Sequence, residues 1–276
     1  MKFTFLIENK TDNPGIVAEH GLSVFIEARG KKILLDAGAT DLIMDNAKKL
    51  GVDLNQADLA VVSHGHYDHT GGFPAFGMIN RHAPIYIHRN AFRKSFGMEK
   101  GKLEKESCGI RWSREEWAAL EERLKLTGGP VEITEDICVT GTVAFSEGFV
   151  PTERFYYRDE AGRLAEDDLS HEQALVIREP EGLYVFSGCC HRGAVSALET
   201  AKSLFPGERV AAFIGGLHLY SASEKSRRQV VDRMLETDAG RIYPVHCTGI
   251  EAICMLKDLL GDRCIVATAG DTCDGR

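Results

Sequence analysis

The stretch Val61–Gly72, VVSHGHYDHTGG, limits what this chain can become more than any other. It places three of the ten histidines, with one aspartate, between positions 64 and 69, directly behind the apolar run ADLAVV. A buried strand is a rigid platform, so ligand-type side chains at its end are held in place. Residues two apart in an extended segment point the same way, so His64 and His66 present their imidazoles to one side. Asp68 and His69 follow at once and turn toward a neighbouring position. Nitrogen and carboxylate donors suit zinc, and also manganese or iron. Glycines at 65, 71 and 72 leave the backbone room to bend round an ion. A histidine-rich surface loop is the competing reading, and four such residues in this order after a buried strand weigh against it.

Strand-like and helix-like segments alternate along the rest of the chain. KFTFLIE and LSVFIEA read as strands, and KKILLDAG as a third, joined to the second by a hairpin turn at Arg29-Gly30-Lys31. TDLIMDNAKKLG carries Leu42, Ile43, Ala47 and Leu50 on one helical stripe and stops at Gly51. ADLAVVS and APIYIH are buried strands. Residues 91–129 turn helical and charged, with REEWAALEERLKL setting Trp117, Leu120 and Leu124 on one face. Strands follow in VEITEDICVTG, and a hairpin around EPEG in QALVIREPEGLYVFSG. Then RGAVSALETAKSLF, SEKSRRQVVDRMLE and TGIEAICMLKDLLG read as helices. They alternate with the strands RVAAFIGG, RIYPVHC and CIVATAG. No linker or composition break interrupts the chain, so residues 1–276 are read as one domain of the α/β (α+β) class, with sheets covered by helices.

Composition excludes several functions. The net charge is −8 with no long Lys/Arg run, which speaks against nucleic acid as a partner. A local cluster of metal and arginine can still hold a small anionic substrate. No apolar stretch reaches membrane-spanning length, and the first one, ending at Glu8, is too short for a secretory signal. Cytoplasmic thiols are therefore the reading for Cys108, Cys138, Cys189, Cys190, Cys247, Cys254, Cys264 and Cys273. No Cys-x-x-Cys pair points to a zinc ribbon or an iron–sulfur cluster. Nothing in the sequence fixes the oligomeric state.

His64, His66, Asp68 and His69 form the pattern His-x-His-x-Asp-His, in which the chain resembles the metallo-β-lactamase superfamily. The resemblance implies a four-layer αββα sandwich, here with a helical insertion, and one or two divalent metals at the sheet edge, zinc foremost. Asp36 in ILLDAG matches an aspartate that ends a strand and supports the site; a turn residue before Gly38 is the alternative. Further ligands follow apolar strands: His191 in FSGCCHRG, His246 in YPVHCTG and, less firmly placed, His218 in FIGGLHLYS. One metal is then expected on His64, His66 and His191, and a second on Asp68, His69 and His246. Where many members read Gly-Asp this chain reads Gly188-Cys189, so the usual bridging carboxylate is missing. Cys189, Cys190 and Cys247 are read as buried packing, with ligation the lesser alternative. His171 stands as a second-choice ligand and Asp271 as a turn residue, while His20, His82 and His88 have no assigned place.

SGCCHRG, IGGLHLYS and VHCTG resemble a narrower subgroup, the dihydropterin–ribofuranosylaminobenzene phosphate synthase-like proteins. The leading expectation is a metal-dependent, phosphoesterase-like hydrolase. Asp68 orients the nucleophile, His218 donates to the substrate or leaving group, and Arg192 either reaches a phosphate or is an ordinary solvated arginine. A pterin–phosphoribosyl condensing enzyme, an iron-dependent redox protein and a non-enzymatic metal-bound sensor are the alternatives. The insertion at 91–129 is expected to serve as a lid.

Overall fold

The computed structural model describes every residue except Lys100, Glu160 and Arg276, with the Glu99 side chain also left out. Two large sheets face one another. The first runs in the order Thr272–Asp274, Lys2–Ile7, Ser23–Ala28, Lys31–Leu35, Leu59–Val61, Ile85–His88 and Leu124–Thr127. The second runs Val131–Thr134, Ile137–Val139, Leu175–Glu179, Gly182–Phe186, Val210–Gly215 and Arg241–Pro244.

Period-two alternation explains the layering. Phe3, Phe5, Val24, Ile26, Ile33 and Leu35 point to the other sheet and meet Ile177, Phe186, Ile214 and Tyr243. Phe3 contacts Phe186 and Tyr243 edge-on, each at 5.4 Å between ring centroids. The intervening Leu6, Phe25 and Leu34 face outward, under the helices Leu42–Lys49 and Phe73–Ile79. On the far side, Ala194–Leu204, Glu224–Leu235 and Ile250–Leu260 cover the second sheet. The result is the αββα sandwich.

Three elements differ from the sequence reading. REEWAALEERLKL is not one helix. Ser113 and Glu116 close a capping box that starts a helix at Arg114, but it ends at Leu120. Leu124–Thr127, where apolar and polar residues alternate, instead pairs parallel with Ile85–His88 as the edge of the first sheet. Most of residues 91–129 is thus irregular or short strand rather than a helical insertion. CIVATAG forms no strand: Cys264 makes one isolated bridge to Ile242, and the final strand is Thr272–Asp274 beside Lys2–Ile7. Phe155–Arg158 and Leu164–Asp167, unassigned from sequence, pair with each other, and Phe155–Arg158 also pairs with Ser95–Phe96 in a small third sheet.

No helix among the described residues is long and apolar enough to cross a membrane. The glycines of the histidine-rich stretch serve backbone packing. A Cβ at Gly65 would stand 2.1 Å from the Ala91 carbonyl oxygen, and one at Gly71 would stand 1.9 Å from that of Ala39. Gly71→Ala should therefore lower stability by ~3 kcal/mol, because backbone rather than a flexible side chain must give way. A urea unfolding midpoint equal to that of the parent would show that the two segments separate freely.

Candidate metal centre

The histidine-rich stretch leaves the first sheet at Val61 and winds into a single helical turn, Tyr67–Thr70. His191, His218 and His246 follow the strands Gly182–Phe186, Val210–Gly215 and Arg241–Pro244 of the second sheet. Carboxyl ends of strands from both sheets thus meet at one edge. Asp36, Cys190, His218 and His246 hold left-handed backbone angles there, φ 53, 55, 49 and 52°. Such conformations cost non-glycine residues energy and persist where the surroundings over-determine them.

Three imidazoles form one group. The ring centroids of His64, His66 and His191 lie 4.6, 4.8 and 5.0 Å apart. Each Nε2 is buried with no hydrogen-bond partner. Burial holds His64 and His191 well below the usual imidazole range and lowers His66 to about 3. All three rings are therefore neutral and offer lone pairs, the form a metal ion requires. A buried polar atom without a partner is rare enough to call for an explanation, and an ion at this point supplies one.

A second group adjoins the first. His69 Nδ1 meets Asp36 Oδ2 at 2.7 Å, and His246 Nδ1 meets Asn9 Oδ1 at 2.7 Å. Asn9 Oδ1 also accepts from the Gly21 N–H, which fixes the orientation of that amide. Both Nδ1 atoms therefore donate, and the two Nε2 atoms face each other at 3.2 Å. Asp68 Oδ2 lies 3.2 Å from His246 Nε2, and Cys189 Sγ lies 3.2 Å from His69 Nε2. Lone pairs and a carboxylate converging this closely need a positive charge between them. Burial opposes a charge on His69, yet Asp36 and Asp68 raise it to about 9, so a proton is drawn where an ion would sit. The donor sets fit divalent metal.

Asp36 ties the groups together. Its Oδ1 accepts from the Ser63 N–H at 2.7 Å, and its Oδ2 from the Ser63 hydroxyl at 2.6 Å as well as from His69. The Ser63 oxygen is then free to accept from His64 Nδ1 at 2.9 Å, which turns the His64 Nε2 lone pair inward. Glu172, wholly buried, accepts the backbone N–H groups of His191 and Arg192, each at 2.6 Å. Glu8 does the same for the backbone of His246 at 2.6 Å.

The remaining sequence assignments fall as follows. Arg192 is neither solvated nor turned into the cluster: its guanidinium is buried, bonded to the carbonyls of Val143 and Asp168 and stacked on Phe145. His171 lies behind His64, parallel to it at 6.2 Å, with Nδ1 accepting from the Gly65 N–H at 3.1 Å. Asp271 accepts from Asn13 and Thr268. His218 faces the cluster 4.2 Å from the His191 ring, with Nε2 on Glu153 Oε2 at 2.7 Å. His88 bonds Thr142. Two participants, His20 and Phe155, had no place in the sequence reading, and Cys189, read chiefly as packing, is a third. His20, half-exposed, meets Asp68 Oδ2 at 3.2 Å. Cys189 belongs to potential ligand groups with His64 and His191 and with His69 and His246. Phe155 packs 4.9 Å from His66 and 5.0 Å from His191. Only the position of Cys189 at the missing bridging carboxylate carried a sequence signal. Above the cluster lies a cavity of about 160 Å³, rimmed by His20, Gly97, Glu104, Cys108, Glu153 and Tyr220. The segment expected to be a lid thus contributes Gly97, Glu104 and Cys108 to the rim.

Comparison with known proteins gives concordant matches. Residues 17–246 match the family described as the metallo-beta-lactamase superfamily. The chain is 31% identical over 250 residues to the 7,8-dihydropterin-6-methyl-4-(β-D-ribofuranosyl)-aminobenzene-5′-phosphate synthase of Methanocaldococcus jannaschii, covering 85% of this chain and 83% of that protein. An uncharacterized protein of the same organism is 28% identical, covering 88% and 89%. Among solved structures, Tm1679, described as a metal-dependent hydrolase of the β-lactamase superfamily, superposes with a TM-score of 0.82 at 26% identity, covering 99% and 98%. Zinc-bound PqqB from Methylobacterium extorquens shares the fold, with a TM-score of 0.57 at 14% identity over 99% of this chain and 100% of that one.

Asp36→Asn tests the carboxylate that sets both histidine tautomers. Asparagine tolerates the left-handed angle, so the backbone is spared. Zinc affinity, measured by competition with a chromophoric chelator, should fall about 10- to 100-fold. An unchanged affinity would show that His64 and His69 are oriented without Asp36.

Proposed function

The chain belongs to the metallo-β-lactamase superfamily, and from that premise we propose that it is a metal-dependent hydrolase acting on a small anionic substrate, a phosphoester or a related compound. The observation that carries this reading is the set of three buried, partnerless Nε2 atoms of His64, His66 and His191 beside a cavity. We assign one ion to these three and a second to Asp68, His69 and His246, with zinc the expected metal and manganese or iron the alternatives. Bound ions supply a water acidic enough to ionise near neutral pH and charge to offset the oxyanion that builds on the substrate.

The chain's own groups do the rest. Asp68 faces the cavity, oriented by His20, and is placed to accept a proton from the attacking water. His20 is held in turn by the Asn9 amide, whose Nδ2 lies 3.3 Å from its Nδ1. His218 also lines the cavity with Glu153 bonded to it, and we assign it to the leaving-group side. Phe155 keeps bulk water from the His66–His191 side. Arg192 is replaced as the anion-binding group by the metals themselves, since its guanidinium is engaged elsewhere.

A second reading is favoured by the name of the 31% identical relative, a 7,8-dihydropterin-6-methyl-4-(β-D-ribofuranosyl)-aminobenzene-5′-phosphate synthase: this chain would be a pterin–phosphoribosyl condensing enzyme. The same centre would then act on the donor's phosphates rather than on water.

His66→Ala should lose bound metal and lower turnover of a responsive phosphoester by about 100-fold or more, with both read on one preparation. Full metal content in that variant would remove His66 from the ligand set. Pyrophosphate release that requires both a dihydropterin and a phosphoribosyl donor, without phosphoester turnover, would replace the hydrolase reading by the synthase one.

A further inference from the structure

We propose that Cys189, His218 and Cys247 form an additional, sulfur-rich metal site at the floor of the cavity, taking a thiophilic divalent ion such as zinc. The two thiol sulfurs and a ring nitrogen of His218 lie within 4.8 Å of one another, and all three residues are buried. They also line the cavity, so a fourth coordination position is open to a water or a ligand.

His218 carries a second, independent sign. Its Nε2 sits 2.7 Å from Glu153 Oε2, so Nε2 donates to that carboxylate and Nδ1 is the nitrogen available to an ion. Nδ1 is buried and has no hydrogen-bond partner. A carboxylate behind one imidazole nitrogen and an unmet lone pair on the other is the arrangement found at metal-ligating histidines. The left-handed angle at His218, φ 49°, gives that orientation at a conformational cost.

The backbone makes room for the thiols. A Cβ at Gly216 would stand 2.4 Å from Cys247 Sγ, so only glycine there lets the sulfur approach. Cys247 Sγ in turn lies 3.7 Å from the Cys189 carbonyl oxygen. Binding would release two protons to solvent, leaving two thiolates and a neutral imidazole as the S₂N donor set. The inference goes beyond the hydrolase reading and shares two residues with it: Cys189, which also borders the histidine groups, and His218, whose leaving-group role an ion at this site would replace.

The test uses the full chain, stripped of metal under reductant and titrated with cobalt(II). The parent should develop a thiolate-to-cobalt charge-transfer band and bind about one equivalent more than either Cys247→Ser or His218→Gln. In Cys247→Ser the band should fall by about half, with the remaining equivalents retained. His66→Ala should instead lose a histidine-bound equivalent and keep the band, which separates failure of this site from failure of the hydrolase reading. Matching unfolding midpoints of the metal-free proteins exclude misfolding. Should the variants not fold, X-ray absorption of the zinc-loaded parent decides: sulfur scatterers at two thiolates support the site, and a shell of nitrogen and oxygen alone overturns it. Equal stoichiometry and equal band intensity in parent and Cys247→Ser, or a Cys189–Cys247 disulfide that persists under reductant, would also overturn it.

Discussion

The carboxylate of Asp36 holds the site in its working form. It is fully buried, stands at the end of a strand in a left-handed conformation, and collects three hydrogen bonds. Two of them come from Ser63, one residue before the first histidine, and the third from His69. Through them a single side chain fixes the tautomers of rings in both histidine groups, because an imidazole that donates from Nδ1 must present a lone pair at Nε2. An ionised carboxylate with no solvent is costly unless positive charge lies near it. The proton drawn to His69 offsets part of that cost, and a cation meeting the lone pairs turned inward would offset it further, which would link folding to metal binding through this residue.

The second sheet contributes by a different device. Glu172 and Glu8 reach across from other segments to take up the backbone N–H groups of His191 and His246. Here the polypeptide itself is fastened and the rings follow, whereas Asp36 acts on the rings directly. Arg192 belongs to this scaffolding. Its guanidinium binds carbonyls of the 143 and 168 regions and so ties the irregular segment before Leu175–Glu179 to the loop that carries His191.

Much of this was legible in the sequence because strong local patterns coincide with the final structure. His64 to His69 follow a short apolar strand, and each of His191, His218 and His246 follows another, so the cluster could be assembled from residue types and strand ends. Sheets covered by helices were legible in the alternation of strand and helix patterns, while the αββα layering came from the resemblance that His64, His66, Asp68 and His69 carry. The failures share a cause. In REEWAALEERLKL a helical stripe runs into LKLT, which has equal claim to a strand, and only pairing with Ile85–His88 decides between them. CIVATAG has strand-like residues and lies beside the edge strand Arg241–Pro244, but it pairs there only through the single bridge from Cys264 to Ile242. Phe155–Arg158 has no clear period, and its strand exists through a hairpin to Leu164–Asp167 and through Ser95–Phe96, which is distant in sequence. His20 and Asn9 reach the site from positions that no local pattern marks.

The insertion has an optical consequence. The chain has two tryptophans, Trp112 and Trp117. Both stack about Phe92, and Trp112 Nε1 donates to the Thr70 carbonyl at 2.8 Å, at the end of the helical turn that bears Asp68 and His69. Indole emission from this protein therefore arises from one locus, coupled by a single hydrogen bond to the histidine-bearing turn. The molecule carries its own fluorophore for the seating of the 91–129 segment, with no background from elsewhere in the chain.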